Sequence, residues 1–535
     1  MKKFFIFLIV LYSVGSYSQA PSIAWQKLIG GSNSEIGSFI SIVNDNSVFI
    51  GSRSNSNISG YKSQNTRGGY DYWIVKVSEN GDFLWDKTIG AGPVSILFPN
   101  NDITCSVNKT SDGSILIGGF SESSISGEKT EVSRGDFDYW LVKLDVSGNI
   151  IWDKTIGGSS YDGLNSFFES NDGNYIIVGT TLSTISGEKT EVTRGGYDIW
   201  MLKLDIFGNI IWQKTIGGSG GEGPAKMIQT SDNGYIIAAT SNSNISGEKT
   251  ENSYGLNDYW IIKLDSNGNI QWQKTIGGSG NEYCSVIVET TDGEYLVGGY
   301  SDSDISGLKT ENSRGGNDFW VVKLTALGEI SWQKTIGGSN DDSLLAMIQC
   351  LDNGYVLSGT TLSSISGDKT DGNRGDYDAW VVKLDEMGNL QWQKNIGGTN
   401  YDGLNSVSQL PNGSFIMAGG SRSSNSFDVS ETNQGLIDIW LVKLNAEDLS
   451  STGFDGLQGV TLYPNPASNM ITVDLNDYID NLKVTVSSVL GQVISQYNYT
   501  NQNRIDLELP NASGVYLVTL ESESKNRRVF KVIKQ

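Results

Sequence analysis

The 535-residue chain contains no histidine at all. That absence removes triads built on an imidazole base and the commonest transition-metal ligand. Cysteine is almost missing as well. Cys105, Cys284 and Cys350 are an odd, scattered set that builds no disulfide framework, and each reads as a small buried apolar side chain. Basic residues are in deficit, 38 against 60 acidic ones, for a formal charge of -22. With no basic stripe to offset that field, nucleic acid is not an expected partner, and the surplus reads as solubility outside the cell. Beyond residue 20 no apolar run is long enough to span a bilayer. Ahead of it, Met1-Lys2-Lys3, the apolar run Phe4 to Tyr12 and the small residues before Gln19 have the layout of an export signal, so residues 1–20 are expected to be a signal peptide.

What the chain does have is tryptophan, in two series. Trp25, Trp85, Trp152, Trp212, Trp272, Trp332 and Trp392 form one; Trp73, Trp140, Trp200, Trp260, Trp320, Trp380 and Trp440 form the other, and together they are all 14 in the chain. Successive members stand 60 residues apart except across one insertion, so one unit is written seven times. In the unit Asn281 to Asn340, alternating runs and short Gly-containing turns predict four antiparallel strands, with a long polar loop between the second and third. A four-stranded sheet cannot bury both faces alone, so the copies must cover one another.

The expected fold is all-β: a seven-bladed β-propeller of four-stranded blades over residues 21–445, closed by the N-terminal strand. That closure is read from two incomplete ends. Ile23 to Ile29 matches a fourth strand with no strands before it, and Asp438 to Leu444 matches a third strand with no fourth after it. An open array would instead need specialised end caps. Within a blade, pairing Leu264 with Ile270 would set Ile262 opposite Trp272 and lay Lys274 against Trp260, a structural use of both tryptophans.

With the shared fourth strand outermost, the first strands line a central channel, and the long loops gather on one face. Loops on a rigid scaffold are where recognition usually lives. The pattern Ile185-Ser-Gly-Glu-Lys-Thr-Glu191 and its repeats fits a self-packing polar loop equally well. On the same face, Glu35, Asp102, Asp162, Glu222, Glu282, Asp342 and Asp402 are expected to circle the channel mouth. They suit either a cation or sugar hydroxyls, or simply backbone hydrogen bonds. A second series, Asp71, Asp138, Asp198, Asp258, Asp318, Asp378 and Asp438, reads as loop capping.

Candidate binding residues are the loop arginines Arg67, Arg134, Arg194, Arg314 and Arg374, and the places where the repeat fails. Those are Tyr254 and Gln434 in the arginine position, Phe98 in the apolar insertion, and Phe427. No cofactor and no metal site are expected. A casual calcium site at Asp302-Ser-Asp304 stays open, although its ligands do not repeat and no glutamate follows at the spacing of a helical calcium loop.

Residues 446–459 read as a polar linker, and the short strands of residues 460–535 as a small C-terminal β-sandwich. This last segment contains Leu462-Tyr463-Pro464-Asn465-Pro466-Ala467, Leu490-Gly-Gln492, Gly514-Val-Tyr516-Leu-Val-Thr-Leu520 and the basic ending Lys531 to Gln535. It resembles the C-terminal sorting domain of the type IX secretion system of Bacteroidetes. The resemblance implies export of folded cargo across the outer membrane, with the secretion machinery as partner and Tyr463, Pro464, Asn465, Pro466, Gly514 and Tyr516 within the signal. The location implied is the cell surface or the extracellular space. For the cargo itself three readings stand: a monomeric adhesion module for polysaccharide or another surface component, a polysaccharide hydrolase or lyase using the loop carboxylates, and a structural part of a surface assembly. Catalytic residues are not identified by the sequence.

Overall fold

The computed structural model describes residues 19–42, 47–92, 100–447, 460–488, 492–522 and 527–535. The signal-peptide reading of residues 1–18, Phe98 in the insertion, and most of the linker lie outside the described residues. The chain divides into two compact units, one comprising Ser22–Asn445 and the other including Ala446–Gln535.

In the first unit every repeat forms its own four-stranded antiparallel sheet, here called a blade and numbered along the chain. Blade 4 is typical, with strands Glu222–Gln229, Tyr235–Ser241, Asp258–Leu264 and Ile270–Ile276 in that spatial order. Blade 1 begins at Glu35, blade 2 at Asp102, blade 3 at Asp162, blade 5 at Glu282, blade 6 at Asp342 and blade 7 at Asp402. In blade 7 the outermost strand is Ile23–Ile29, paired antiparallel with Asp438–Leu444. A channel of about 570 Å³ is lined by residues of all seven first strands, which places those strands innermost in a propeller-like array.

The expected fold class needs correction on two counts. The seven sheets are separate, and no strand ladder runs from one to the next. Pairing of Ile23–Ile29 therefore completes one sheet and does not close the array by sheet hydrogen bonding. The blades meet through isolated backbone hydrogen bonds and packed side chains: Trp260 and Ile262 of blade 4 share one buried cluster with Ile176, Val178 and Met201 of blade 3. The C-terminal unit is likewise not a two-sheet sandwich. It is one five-stranded sheet, because the runs around Ile471 and Val484 belong to a single strand, Met470–Ser488, whose register breaks between Asp474 and Ile479. That break lets one continuous sheet curl over its own core of Val473, Val484, Val486, Val518, Leu520 and Val532.

The two tryptophan series take different roles. Those on the third strands are fully buried, and each indole N–H donates to the residue after the fourth-strand tryptophan, as Trp260 does to Gln273 at 2.9 Å. Most fourth-strand tryptophans are half-buried. Leu264 does pair with Ile270, but a bulge follows and sets Trp272 opposite Lys263. The expected facing of Ile262 and Trp272 fails for that reason. The cation over Trp260 is Lys249 from the long loop, 5.7 Å from the ring centroid, whereas Lys274 reaches Glu251. Trp272 lies over the turn of the next blade, where Gly328 has a φ of +85° and a Cβ would come within 2.9 Å of the indole.

Candidate functional site

The residues expected to bind ligand are mostly engaged within the array. Glu35, Asp102, Asp162, Glu222, Glu282, Asp342 and Asp402 are buried between blades and do not form an open ring. In Glu222, Oε2 accepts from Gly218 N–H at 2.8 Å, Oε1 from the hydroxyls of Ser241 and Ser243, and its own N–H donates to Tyr197 O of blade 3 at 2.7 Å, whereas Asp102, Asp162 and Asp342 each keep one buried oxygen without a partner. These bonds tie the start of each blade to the end of its second strand and to the preceding blade.

The second acid series caps the loops. In Asp71, Asp138, Asp198, Asp258, Asp318, Asp378 and Asp438, one carboxylate oxygen accepts the N–H four residues upstream, as in Arg194 N–H to Asp198 at 2.6 Å. The other oxygen, Oδ1, has no hydrogen-bond partner in any of the seven. It packs against a glycine, and a Cβ on Gly277 would fall 1.7 Å from Asp258 Oδ1 and 2.8 Å from Glu282 Oε2. The two acid series therefore meet as carboxylate pairs across the blade interfaces. Burial raises Asp71 to about 7, helped by the charge of Asp102. Burial raises Asp438 to about 7, with Glu35 adding to it, and Asp138 and Asp198 to about 6.

The arginines are inter-blade ties. Arg134 reaches Glu188 at 2.6 Å, Arg194 reaches Glu248 at 2.8 Å, Arg314 reaches Asp368 at 3.0 Å and Arg374 reaches Asp428 at 2.6 Å, with Arg67 bound to Glu128 in the same way. Each acid belongs to the following blade. The two exceptions are matched across their own interfaces: Tyr254 lies beside the loop in which Leu308 replaces the acid, and Gln434 beside the loop in which Tyr61 does. Phe427 stands where six other loops have glycine, keeps a φ of +47° and is 69% exposed. The loop lysines are buried too, Lys249 donating to Thr275 Oγ1 at 2.6 Å. Asp302 accepts the N–H of Asn281 at 2.6 Å, and among the described residues no three acidic or cysteine side chains cluster as a metal site would require.

An open recess does exist on this face, and it is built from residues the sequence reading passed over. It measures about 560 Å³ and lies where blades 3, 4 and 5 meet the channel mouth. Tyr161 and Tyr197 stand on one side, their rings 5.8 Å apart and edge-on at 87°. Phe137 and Phe120 of blade 2 extend that cluster, at 5.8 and 5.9 Å from Tyr161. Tyr283 stands on the other side, stacked on Tyr300 at 5.3 Å. Between them blade 4 contributes Gly221, Gly223, Pro224 and Ala225, and a Cβ on Gly223 would meet nothing within 4 Å. Asn257 donates to Asn281 Oδ1 at 2.8 Å and reaches the Tyr283 hydroxyl at 3.3 Å, while Thr180 donates to Asn165 at 3.0 Å. Tyr197 is 43% and Tyr283 39% exposed. The sequence signal was the residue just ahead of each capping acid, which runs Tyr70, Phe137, Tyr197, Asn257, Asn317, Tyr377 and Ile437 with no fixed chemistry. Glu222 borders the recess, but its bonded carboxylate leaves no pair of unlike acids facing the space.

In the C-terminal unit the side chains of the sorting motif frame the last strand. Asn465 donates to Lys531 O at 2.7 Å and accepts from Ile533 N–H at 2.9 Å. Gly514 pairs with Lys534, and the Tyr516 hydroxyl donates to Ala512 O at 2.7 Å. Tyr463 pairs with Thr472 next to Pro464 and Pro466.

The repeat-built blades are followed by a separate C-terminal sheet that carries the sorting motif. Residues 461–535 match the family model of the secretion system C-terminal sorting domain. The chain is thus a cargo of the type IX secretion system, exported to the cell surface or extracellular space. Elsewhere it is 21% identical over 221 residues to the regulatory protein FlaEY of Caulobacter vibrioides, a match over 38% of this chain and 23% of that protein. A Dyadobacter fermentans protein of unknown function is similar in structure at TM-score 0.41 and 10% identity, over 79% of this chain and 99% of that one. An ulvan lyase from a new polysaccharide lyase family gives TM-score 0.43 and 9% identity, over 79% of this chain and 96% of that one. No helix among the described residues is long and apolar enough to cross a membrane.

Proposed function

We propose that residues 21–445 are a binding module for polysaccharide, displayed on the surface or released there after residues 460–535 have served as the sorting signal. The tyrosine-walled recess carries this reading. Its exposed rings offer apolar faces on which sugar rings pack, and the amides of Asn165 and Asn257 with the Thr180 hydroxyl supply polar contacts around them. Such a space, lined by few convergent polar groups on a rigid scaffold, is what recognition of a small rigid unit in a chain requires. The carboxylates of both acid series are buried at the blade interfaces, which favours binding over hydrolysis or elimination.

Retention of the full chain on a glycan array tests the assignment. Tyr197→Ala and Tyr283→Ala should each weaken binding about tenfold, equivalent to about 1.4 kcal/mol, whereas Arg194→Ala should leave it unchanged. Failure of the wild type to retain any glycan, or indifference to both tyrosine changes, would refute it.

A further inference from the structure

The recess adjoins the central channel, since Asn165 and Ala225 line both spaces. In blades 2 to 7 each first strand is bulged at one position, between pairs such as Leu164 and Ser166 or Pro224 and Lys226. The residues displaced from the ladder are Cys105, Asn165, Ala225, Ser285, Leu345 and Asn405, and all face the channel. The residue that follows is serine, alanine or valine in five of these blades and Lys226 in blade 4.

Lys226 is the only cation in the described channel wall. The one carboxylate there, Glu289, is held by the N–H and hydroxyl of Ser231, each at 2.8 Å. No described carboxylate or carbonyl accepts a hydrogen bond from the Lys226 ammonium. Lys226 is exposed to the solvent of the channel, and the surrounding channel wall lowers its pKa by desolvation. A channel cation without a counter-ion gains a charge-assisted hydrogen bond when an oxyanion arrives. Asn165, Ser285 and Asn405 place neutral donors along the same wall.

We infer that Lys226 receives an oxyanion of the ligand, a uronate carboxylate or a sulfate ester, so that the channel floor selects acidic polysaccharides. The inference rests on the glycan reading of the recess for its sugar and on the channel alone for its anion. The recess tyrosines grip the ring; Lys226 reads the charge.

Titration calorimetry on the full chain tests it, with a neutral glucan tetrasaccharide, a uronic-acid tetrasaccharide, a sulfated tetrasaccharide and inorganic sulfate as probes. The acidic sugars should bind at least about tenfold tighter than the neutral one, with a preference that shrinks as salt rises. Lys226→Met should erase the preference and leave neutral-sugar binding unchanged, and Lys226→Arg should keep it. Tighter binding of the uronate than of the sulfated sugar assigns the carboxylate, and the reverse assigns the sulfate ester. Equal affinity for all three sugars, or a preference that survives Lys226→Met, overturns the site. Sulfate binding lost in Lys226→Met with no sugar bound by the wild type supports the anion site and overturns the glycan reading instead.

Discussion

The Arg194–Glu248 tie offers a test of whether the loop arginines hold blades together or await a ligand. The guanidinium Nη2 and Nε lie 2.8 and 3.2 Å from Glu248 Oε1, while Oε2 accepts Gly217 N–H at 3.1 Å. Both side chains are about a quarter exposed, at 22% and 28%. Partial burial and a two-donor geometry place the pair near the upper end of surface ion pairs, about 1 kcal/mol after solvent screening. Arg194→Tyr alone should cost about 1–2 kcal/mol, because it also leaves Glu248 without its cation. One interface further on, the chain already uses Tyr254 against a loop bearing Leu308. The double variant Arg194→Tyr/Glu248→Leu copies that arrangement and should recover most of the loss.

Urea unfolding of the wild type, both single variants and the double variant, followed by tryptophan fluorescence, closes the cycle. The expected coupling is about 1 kcal/mol or more. Additivity within about 0.3 kcal/mol would refute the inter-blade role and return the arginines to the list of ligand contacts. The same cycle repeated at high salt should keep the recovery in the double variant, since a tyrosine–leucine contact is not screened.

Two other expectations concern stored strain. The raised carboxyls, Asp71 and Asp438 at about 7 and Asp102, Asp138, Asp198 and Asp342 at about 6, bind protons in the folded state that the unfolded chain has released above about pH 4. Their contribution is therefore complete below pH 4 and lost as pH rises through 6 to 7. The thermal midpoint should be higher at pH 5 than at pH 7.5, and a flat or reversed profile contradicts the pairing. Lys62, Lys129 and Lys369, lowered to about 8 by burial, titrate above this window. At Phe427, replacement by the glycine of the other loops should relieve a left-handed backbone, where six equivalent glycines have φ between 53° and 56°, and raise stability by up to about 1 kcal/mol. A loss of stability on Phe427→Gly would show that the exposed ring is held by contacts that outweigh the strain.

What was legible in the sequence is what repeats locally. Strand runs, Gly turns and both tryptophan series sit within single repeats, and they marked the blades and the capping role of Asp71 and its equivalents. Pairing across the third turn departs from expectation because one bulge between Lys263 and Leu264 shifts the partner of Trp272, and a period of two carries no sign of an extra residue. The C-terminal sheet was misjudged for a related reason. An irregular stretch between Asp474 and Ile479 looks like a loop in sequence but is spanned by one strand.

The arginines misled because their partners lie one repeat ahead, 54 residues on for Arg134 and Arg194. A signal was nonetheless present in this single chain: arginine is missing at Tyr254 and Gln434, and the acid is missing at Leu308 and Tyr61, the very loops those blades would have met. Repeats that must pack on one another encode their interfaces as joint losses between successive copies. Where such joint losses explain a broken position, no ligand is needed to account for it. Lys226 stands out against the serine, alanine or valine of the other bulged strands of blades 2 to 7, and Tyr197 and Tyr283 leave their rings partly open to water. These side chains line the recess and the channel, two spaces that share Asn165 and Ala225 in their walls.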